Sequence, residues 1–406
     1  MPETREAAKI GFAELVVLAA AMMSTQALAI DAMLPAFPII VRALHVDDVN
    51  HSQWIITAYM SGLGVGQLFW GVFSDRFGRR PVLIGGLGMY VIAALLCGFS
   101  DSFHALLAWR FVHGLAAASV TVTRSVIRDL YSGRHMARVV SLTYVVFLMV
   151  PIIAPSIGQL ILLMVPWRYI FIFVGGFTAL VWLWALLRLP ETLHPEYRMT
   201  LSRTHILNAA RLVLGNRVSI SYTLCMALMF ASLLAYVAMV PQIFAEVFHR
   251  VRLMPTVFAL CAGSMGVASL FNSRIVERLG MRRISQTALL CFILISLTHV
   301  AVAARGFESL WTFVALQGAT MACFSLSVSN FGAMAMEPIG SVAGIGASLQ
   351  GFISTFGGAL GGALIGRQFN GTTAPLAAGA LGCGLASLLC VLFAEKGRLF
   401  RGHHSQ

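Results

Sequence analysis

Charge is what this sequence has least of. Only 11% of its 406 residues are Asp, Glu, Lys or Arg, against roughly 25% in ordinary soluble domains, which is too few to cover a water-facing surface. Acids are the scarcer sign, with 16 Asp and Glu against 28 Lys and Arg. Nucleic acid is not the expected partner, because such binders gather their basic residues on one wetted patch. The seven cysteines, Cys97, Cys225, Cys261, Cys291, Cys323, Cys383 and Cys390, all fall in apolar stretches and form no Cys-x-x-Cys pair. Neither a disulfide framework nor a zinc site is implied, and they read as small packing residues. No long stretch alternates with period two, which disfavours a transmembrane barrel. The chain also lacks a Gly-x-x-x-x-Gly-Lys-Ser/Thr loop, a His-Glu-x-x-His motif and a Gly-x-Ser-x-Gly elbow. ATP-driven pumping, metalloproteolysis and serine hydrolysis therefore have no signature here. No enzyme activity, catalytic residue, metal or cofactor is expected.

What fills the space is apolar sequence, 58% of the chain. A spanning helix needs about 20 largely apolar residues, and twelve such stretches can be drawn. They run roughly over 12–36, 52–72, 81–100, 104–126, 139–164, 168–189, 217–244, 254–273, 284–304, 308–334, 342–366 and 374–394. The first is too long for a signal-peptide core and no cleavage site follows it, so it reads as an uncleaved helix. The expectation is an all-α polytopic membrane protein with twelve transmembrane helices.

The basic residues sort by side. With the N-terminus inside, 21 fall on inside segments, among them Arg76, Arg79, Arg80, Arg124, Arg128, Arg188, Arg274, Arg278 and Arg282. Six fall outside: Arg42, Arg168, Arg250, Arg252, Arg305 and Arg367. Arg110 is left inside a span. This split places both termini in the cytoplasm and accounts for most of the net charge of +12 as an orientation signal.

A polar segment near the midpoint divides the chain into 1–189, a cytoplasmic loop 190–216, and 217–406. The halves repeat. Gly71-Val72-Phe73-Ser74-Asp75-Arg76-Phe77-Gly78-Arg79-Arg80 joins spans two and three, and 202 residues later Ser273-Arg274-Ile275-Val276-Glu277-Arg278-Leu279-Gly280-Met281-Arg282 joins spans eight and nine. Acid, Arg, apolar, Gly and a final Arg match. Arg110-Phe111-Val112-His113-Gly114 is echoed by Val314-Ala315-Leu316-Gln317-Gly318. Two pseudo-symmetric six-helix bundles with a site at their interface are the logic of a rocking-bundle transporter.

At these residues the chain resembles the major facilitator superfamily over its full length. Gly71 to Arg80, followed by Pro81, is similar to that superfamily's signature loop, and Arg110 with Gly114 resembles the Arg-x-x-x-Gly element of its fourth helix. Pro155 and Gly158 sit where the antiporter motif of drug exporters has its Pro and a later Gly. Ala154 and Gln159 stand at flanking positions of that motif where glycine is more usual. Asp31-Ala32-Met33-Leu34-Pro35 resembles the Asp-x-x-x-Pro element of drug/proton antiporters. With Trp167-Arg168 and Pro190-Glu191-Thr192-Leu193 around span six, the resemblance is to the bicyclomycin/chloramphenicol-resistance (Bcr/CflA) branch. It implies a monomeric exporter of small hydrophobic or cationic drugs in the bacterial cytoplasmic (inner) membrane. The proton gradient would be its energy source. It also implies that Gly71, Asp75, Arg76, Gly78, Arg79 and Arg80 gate the cytoplasmic mouth.

Physical argument singles out two residues independently. Ionisable groups inside a bilayer are costly and usually face a cavity or a partner; away from helix ends the clear cases are Asp31 and Arg110. Their depths below the outer surface agree within about a turn. Asp31 is the candidate proton and cationic-substrate site, with Arg110 modulating it, and a static buried ion pair is the alternative. His113, one turn from Arg110, is a candidate relay or a hydrogen-bonded packing residue. Glu14, near the inner end of span one, is a lesser candidate for coupling. Spans seven to twelve show no mid-membrane acid, so chemistry based on charge is expected in the first half alone. Met23, Gln26, Tyr59, Tyr144, Tyr236 and Asn330 are candidate cavity-lining residues, and the glycine runs at 62–66 and 357–362 suit close helix packing. Asp31 does not separate drug export from export of an endogenous sugar, amino acid or siderophore precursor.

Overall fold

A backbone in hydrocarbon must satisfy its own N–H and C=O groups, which a helix does within one segment. The computed structural model describes residues 10–194, 196, 203–306 and 308–400, and among these there are helices and no strand. Eleven of the helical segments are long and apolar enough to cross a membrane. The remaining expected span lies in α7 (Gly133–Met164), whose stretch Met149–Met164 is apolar. The chain divides into two compact units, Met1–Asp47 with Ala58–Arg203, and Asp48–Thr57 with Thr204–Gln406.

The first unit contains α1 (Phe12–Asp31), α2 (Phe37–Ala43), most of α3 (Trp54–Phe77), α4 (Arg79–Gly98), α5 (Phe103–Ala117), α6 (Val122–Leu130), α7 and α8 (Arg168–Arg188). Its core forms where Leu15, Leu18 and Met22 of α1 meet Val82, Leu83 and Leu87 of α4 and Val181 and Ala185 of α8. At the start of α1, Glu14 accepts two hydrogen bonds from Arg188, at 2.7 and 2.8 Å, and one from Trp184 at 3.2 Å. Glu14 thereby staples α1 to the end of α8, a structural use of the carboxylate that the sequence did not suggest. α3 and α5 meet backbone to backbone at Gly62 and Gly114.

The second unit contains α9 (Arg203–Gly215), α10 (Arg217–Gln242), α11 (Met254–Leu279), α12 (Met281–Ala304), α13 (Leu310–Met336), α14 (Ala343–Gly366) and α15 (Ala374–Ala394). Thus the segment read above as a loop holds a helix, because Ala209 and Val213, one turn apart, are both buried. Tyr222, Cys225 and Met229 of α10 pack with Leu289 and Phe292 of α12, Phe324 and Phe331 of α13 and Val391 of α15. Residues 48–57 group with this unit. Gln53 donates to the Gly366 carbonyl (2.8 Å) and to Gln242 (3.1 Å), and Gln242 donates to Asn50 (3.0 Å).

The repeat is visible in the backbone as well. Gly78 joins α3 to α4 with φ +105° and Gly280 joins α11 to α12 with φ +80°, a left-handed region that glycine enters at little cost. Each half then ends with an acid that grips its own loop. Glu191 accepts from the backbone N–H groups of Arg79 (2.9 Å) and Arg80 (3.3 Å). Glu395 accepts from the Arg282 side chain at 2.9 Å and from the Tyr222 hydroxyl at 2.6 Å.

Candidate functional site

Span one is broken where the acid sits. α1 ends at Asp31, a 3₁₀ turn over Leu34–Ala36 carries Pro35, and α2 starts at Phe37. A proline has no N–H to donate and clashes with the preceding turn, so the helix stops short of it. Asp31 is left at a helix end but only 6% exposed. Discontinuous helices of this kind are how transporters bring polar groups to membrane depth.

Arg110 of α5 is completely buried. Its Nη1 donates to the Ala29 carbonyl at 3.3 Å, two residues before Asp31, and lies 3.3 Å from His113 Nδ1. The guanidinium lies over the Tyr59 ring, 4.4 Å from its centroid, and 5.8 Å from that of Phe171. A guanidinium only donates, so Nδ1 of His113 accepts in this contact and the ring proton belongs on Nε2. The imidazole is packed edge-on against Tyr59 and Tyr90, at 5.2 and 4.1 Å between centroids. Tyr90 in turn donates to the Thr25 carbonyl of α1 at 2.7 Å. Five helices, α1, α3, α4, α5 and α8, therefore hold one cation beside the break that carries Asp31.

A lysine could keep the charge of Arg110 but not the broad guanidinium seated over the Tyr59 ring. Arg110→Lys is expected to cost about 2 kcal/mol of stability, the value of one desolvated cation–π contact, read as a lower melting temperature at equal membrane expression. A melting temperature equal to that of the wild type would show that only the charge matters.

At the other end of α3 the signature loop forms a closed network. The Arg79 side chain, 4% exposed, donates from Nε to Asp129 of α6 (3.0 Å), and from Nη1 to Ser74 (2.7 Å) and to Asp75. Ser74 also donates to the Gly71 carbonyl at 2.8 Å, one turn back within α3. Arg80 donates to the Leu186 carbonyl at 2.9 Å, whereas Arg76 is exposed and lies over the Phe77 ring. A Cβ on Gly78 would meet Glu191 Oε2 at 2.3 Å.

The other sequence candidates distribute as follows. Pro155 lies inside α7 and is buried, and Gly158, one turn on, abuts the Ala32 carbonyl. Met23 packs against the core of the first unit, and Gln26 donates to the Ala117 carbonyl at 2.6 Å. Tyr59 is part of the Arg110 cluster. In the second unit Tyr236 is buried and stacked on Phe258 at 5.9 Å, and Asn330 is buried and donates to Asn272 at 2.9 Å and to the Leu326 carbonyl at 2.7 Å. The side chain of Tyr144 lies outside the described residues. Sequence reasoning missed Tyr90 and Phe171 around Arg110, and gave Asp129 and Glu191 no role in the loop. For Tyr90 a signal existed: a tyrosine deep in an apolar span needs a hydrogen-bond partner.

Comparison with known proteins is consistent along the chain. The sequence pattern of the Major Facilitator Superfamily matches residues 17–362. A Bacillus subtilis protein named as an uncharacterised transporter of that superfamily, YdgK, is 32% identical over 256 residues, which is 62% of each chain and so less than two thirds of that relative's length. A bicyclomycin resistance protein homologue of Haemophilus influenzae is 29% identical over 90% of this chain and 92% of its own. The multidrug resistance protein MdtL of Escherichia coli is 27% identical over 92% and 94%. In fold, the xylose transporter XylE of E. coli superposes with a TM-score of 0.75 over 95% of this chain and 97% of its own, at 11% identity.

Proposed function

The chain belongs to the Major Facilitator Superfamily, and from that membership we propose that it is a proton-coupled exporter of small hydrophobic or cationic compounds, antibiotics among them. It works by alternating access across the bacterial cytoplasmic membrane. The observation that carries the reading is Asp31: a carboxylate buried at the break of α1, beside the cluster that fixes Arg110. A charged carboxylate in that surrounding is penalised, and a neutral or cation-paired one is not. A proton or a cationic substrate relieves the same penalty, so the two compete for one site, which is the condition for antiport. The relatives named for bicyclomycin and multidrug resistance support the drug class.

Arg110 supplies a fixed positive field near Asp31, and His113, accepting from it, orients it. The Asp75–Arg79–Asp129 network with Glu191 acts as the cytoplasmic latch, made and broken once per cycle. No bound cofactor takes part, and the proton gradient supplies the work.

Everted membrane vesicles test this directly. With an acid interior, vesicles carrying the protein are expected to accumulate a lipophilic cationic dye, and to release it when an uncoupler collapses the gradient. Accumulation equal to that of vesicles lacking the protein, for dye, bicyclomycin and chloramphenicol alike, would overturn drug export.

A further inference from the structure

Toward the far end of α12 from Arg282, three helices of the second unit converge on a charged pair inside the protein. His299 Nε2 lies 2.6 Å from Glu308 Oε1, and the two side chains are 2% and 7% exposed. The second carboxylate oxygen accepts from the hydroxyl of Thr373, the residue that precedes α15. Glu308 itself stands immediately before Ser309, the N-cap of α13. Its carboxylate therefore sits at the N-termini of two helices, where partial positive charge favours an anion. The His299 ring meets Phe313 of α13 edge-on at 5.7 Å. Phe313 in turn touches Phe248 at 5.4 Å and Phe244 at 6.4 Å. Those two rings belong to the π-helical turn Ile243–Val247 that ends α10 and to the residue after it.

We propose that His299 and Glu308 form a proton-binding dyad, a clasp set by the pH on the side that the positive-inside count assigns to the exterior. With His299 protonated, a charge-assisted hydrogen bond ties α12 to the starts of α13 and α15, and Phe313 carries that order to the end of α10. Loss of one proton to water leaves a neutral imidazole that still donates from Nε2 to the carboxylate, and the pair then loses the Coulombic attraction between two opposite charges. The charged or titratable neighbours on packed elements are Arg305 beyond α12, Glu246, His249, Arg250 and Arg252 after α10, and Arg367 at the end of α14. All six are exposed. α13 and α15 carry no Asp, Glu, Lys, Arg or His. The buried dyad is therefore the charge that those helix ends feel without water between.

The sign follows from the chemistry: the clasp is closed at the lower pH and loosens as pH rises. In lipid nanodiscs, the melting temperature of the full-length protein is expected to lose about 2 °C between pH 6 and 8.5 through this pair. His299→Gln and Glu308→Gln should each remove that component. In the wild type, amide exchange over 308–313 and 243–249, corrected for its intrinsic pH dependence, should be faster at pH 8.5 than at pH 6. A wild-type exchange pattern that does not change with pH overturns the proposal whether or not the variants fold. So does a pH profile that either variant leaves intact. The step should persist in Asp31→Asn, which separates failure of the dyad from failure of proton-coupled export.

Discussion

Asp31→Asn is expected to fold, to reach the membrane at the wild-type level, and to abolish gradient-driven dye accumulation. Asparagine preserves the shape and the hydrogen-bonding oxygen of the side chain while removing the charge and the exchangeable proton. If Asp31 is a carrier, its charge is a burden in the resting protein. Its removal should then leave the melting temperature unchanged or raise it, since a buried carboxylate is costlier than a buried amide. A static ion pair predicts the opposite sign. Breaking a buried pair strands its partner and costs about 3–5 kcal/mol, so the variant would melt early. Melting temperature and transport together therefore separate the readings, and retained transport in Asp31→Asn would remove Asp31 from the mechanism.

The features that were legible in the sequence are those written locally. The apolar stretches are long enough to count, and Gly78 and Gly280, at equivalent places in two similar decapeptides, both adopt positive φ. Pro35 falls inside the stretch 12–36 drawn as a single span, so the break after Asp31 was not expected. What could not be read is which side chains meet, because that depends on the packing of helices far apart in sequence. Arg110 is held by Ala29, Tyr59 and Phe171, and nothing in the spacing of those four residues pairs them. The same limit hid His299 and Glu308. The second half showed no mid-membrane acid, and an acid at a span end, as Glu308 is in the stretch 308–334, is normally assumed to reach water. Only the convergence of α12, α13 and α15 encloses it.

Gly158→Ala should be strongly damaging, although helix propensity argues the other way. Inside a helix, alanine is favoured over glycine by about 0.8–1.0 kcal/mol, and Gly176→Ala in α8, where nothing lies within 4 Å of an added Cβ, is expected to be neutral or stabilising. At Gly158 of α7 the added Cβ would lie 1.8 Å from the Ala32 carbonyl oxygen and 2.8 Å from its carbon. Both atoms are backbone, so no rotamer change relieves the contact, and α1 and α7 must separate by more than the ångström that keeps Cβ contacts beyond 3.0 Å. Overpacking of this kind typically costs about 1–3 kcal/mol. The functional loss should be greater than the stability loss, because Ala32 directly follows Asp31 and moves with it. A displacement of about 1 Å at a working group costs on the order of 100-fold. Gly158→Ala is therefore expected to lower dye export by about 100-fold at a melting temperature only a few degrees down, with Gly176→Ala as the control. Wild-type export by Gly158→Ala would mean that the close approach of α7 does not position Asp31. In the Asp31→Asn background, where transport is already abolished, Gly158→Ala should still lower the melting temperature, which reads the cost of the close contact apart from its effect on export.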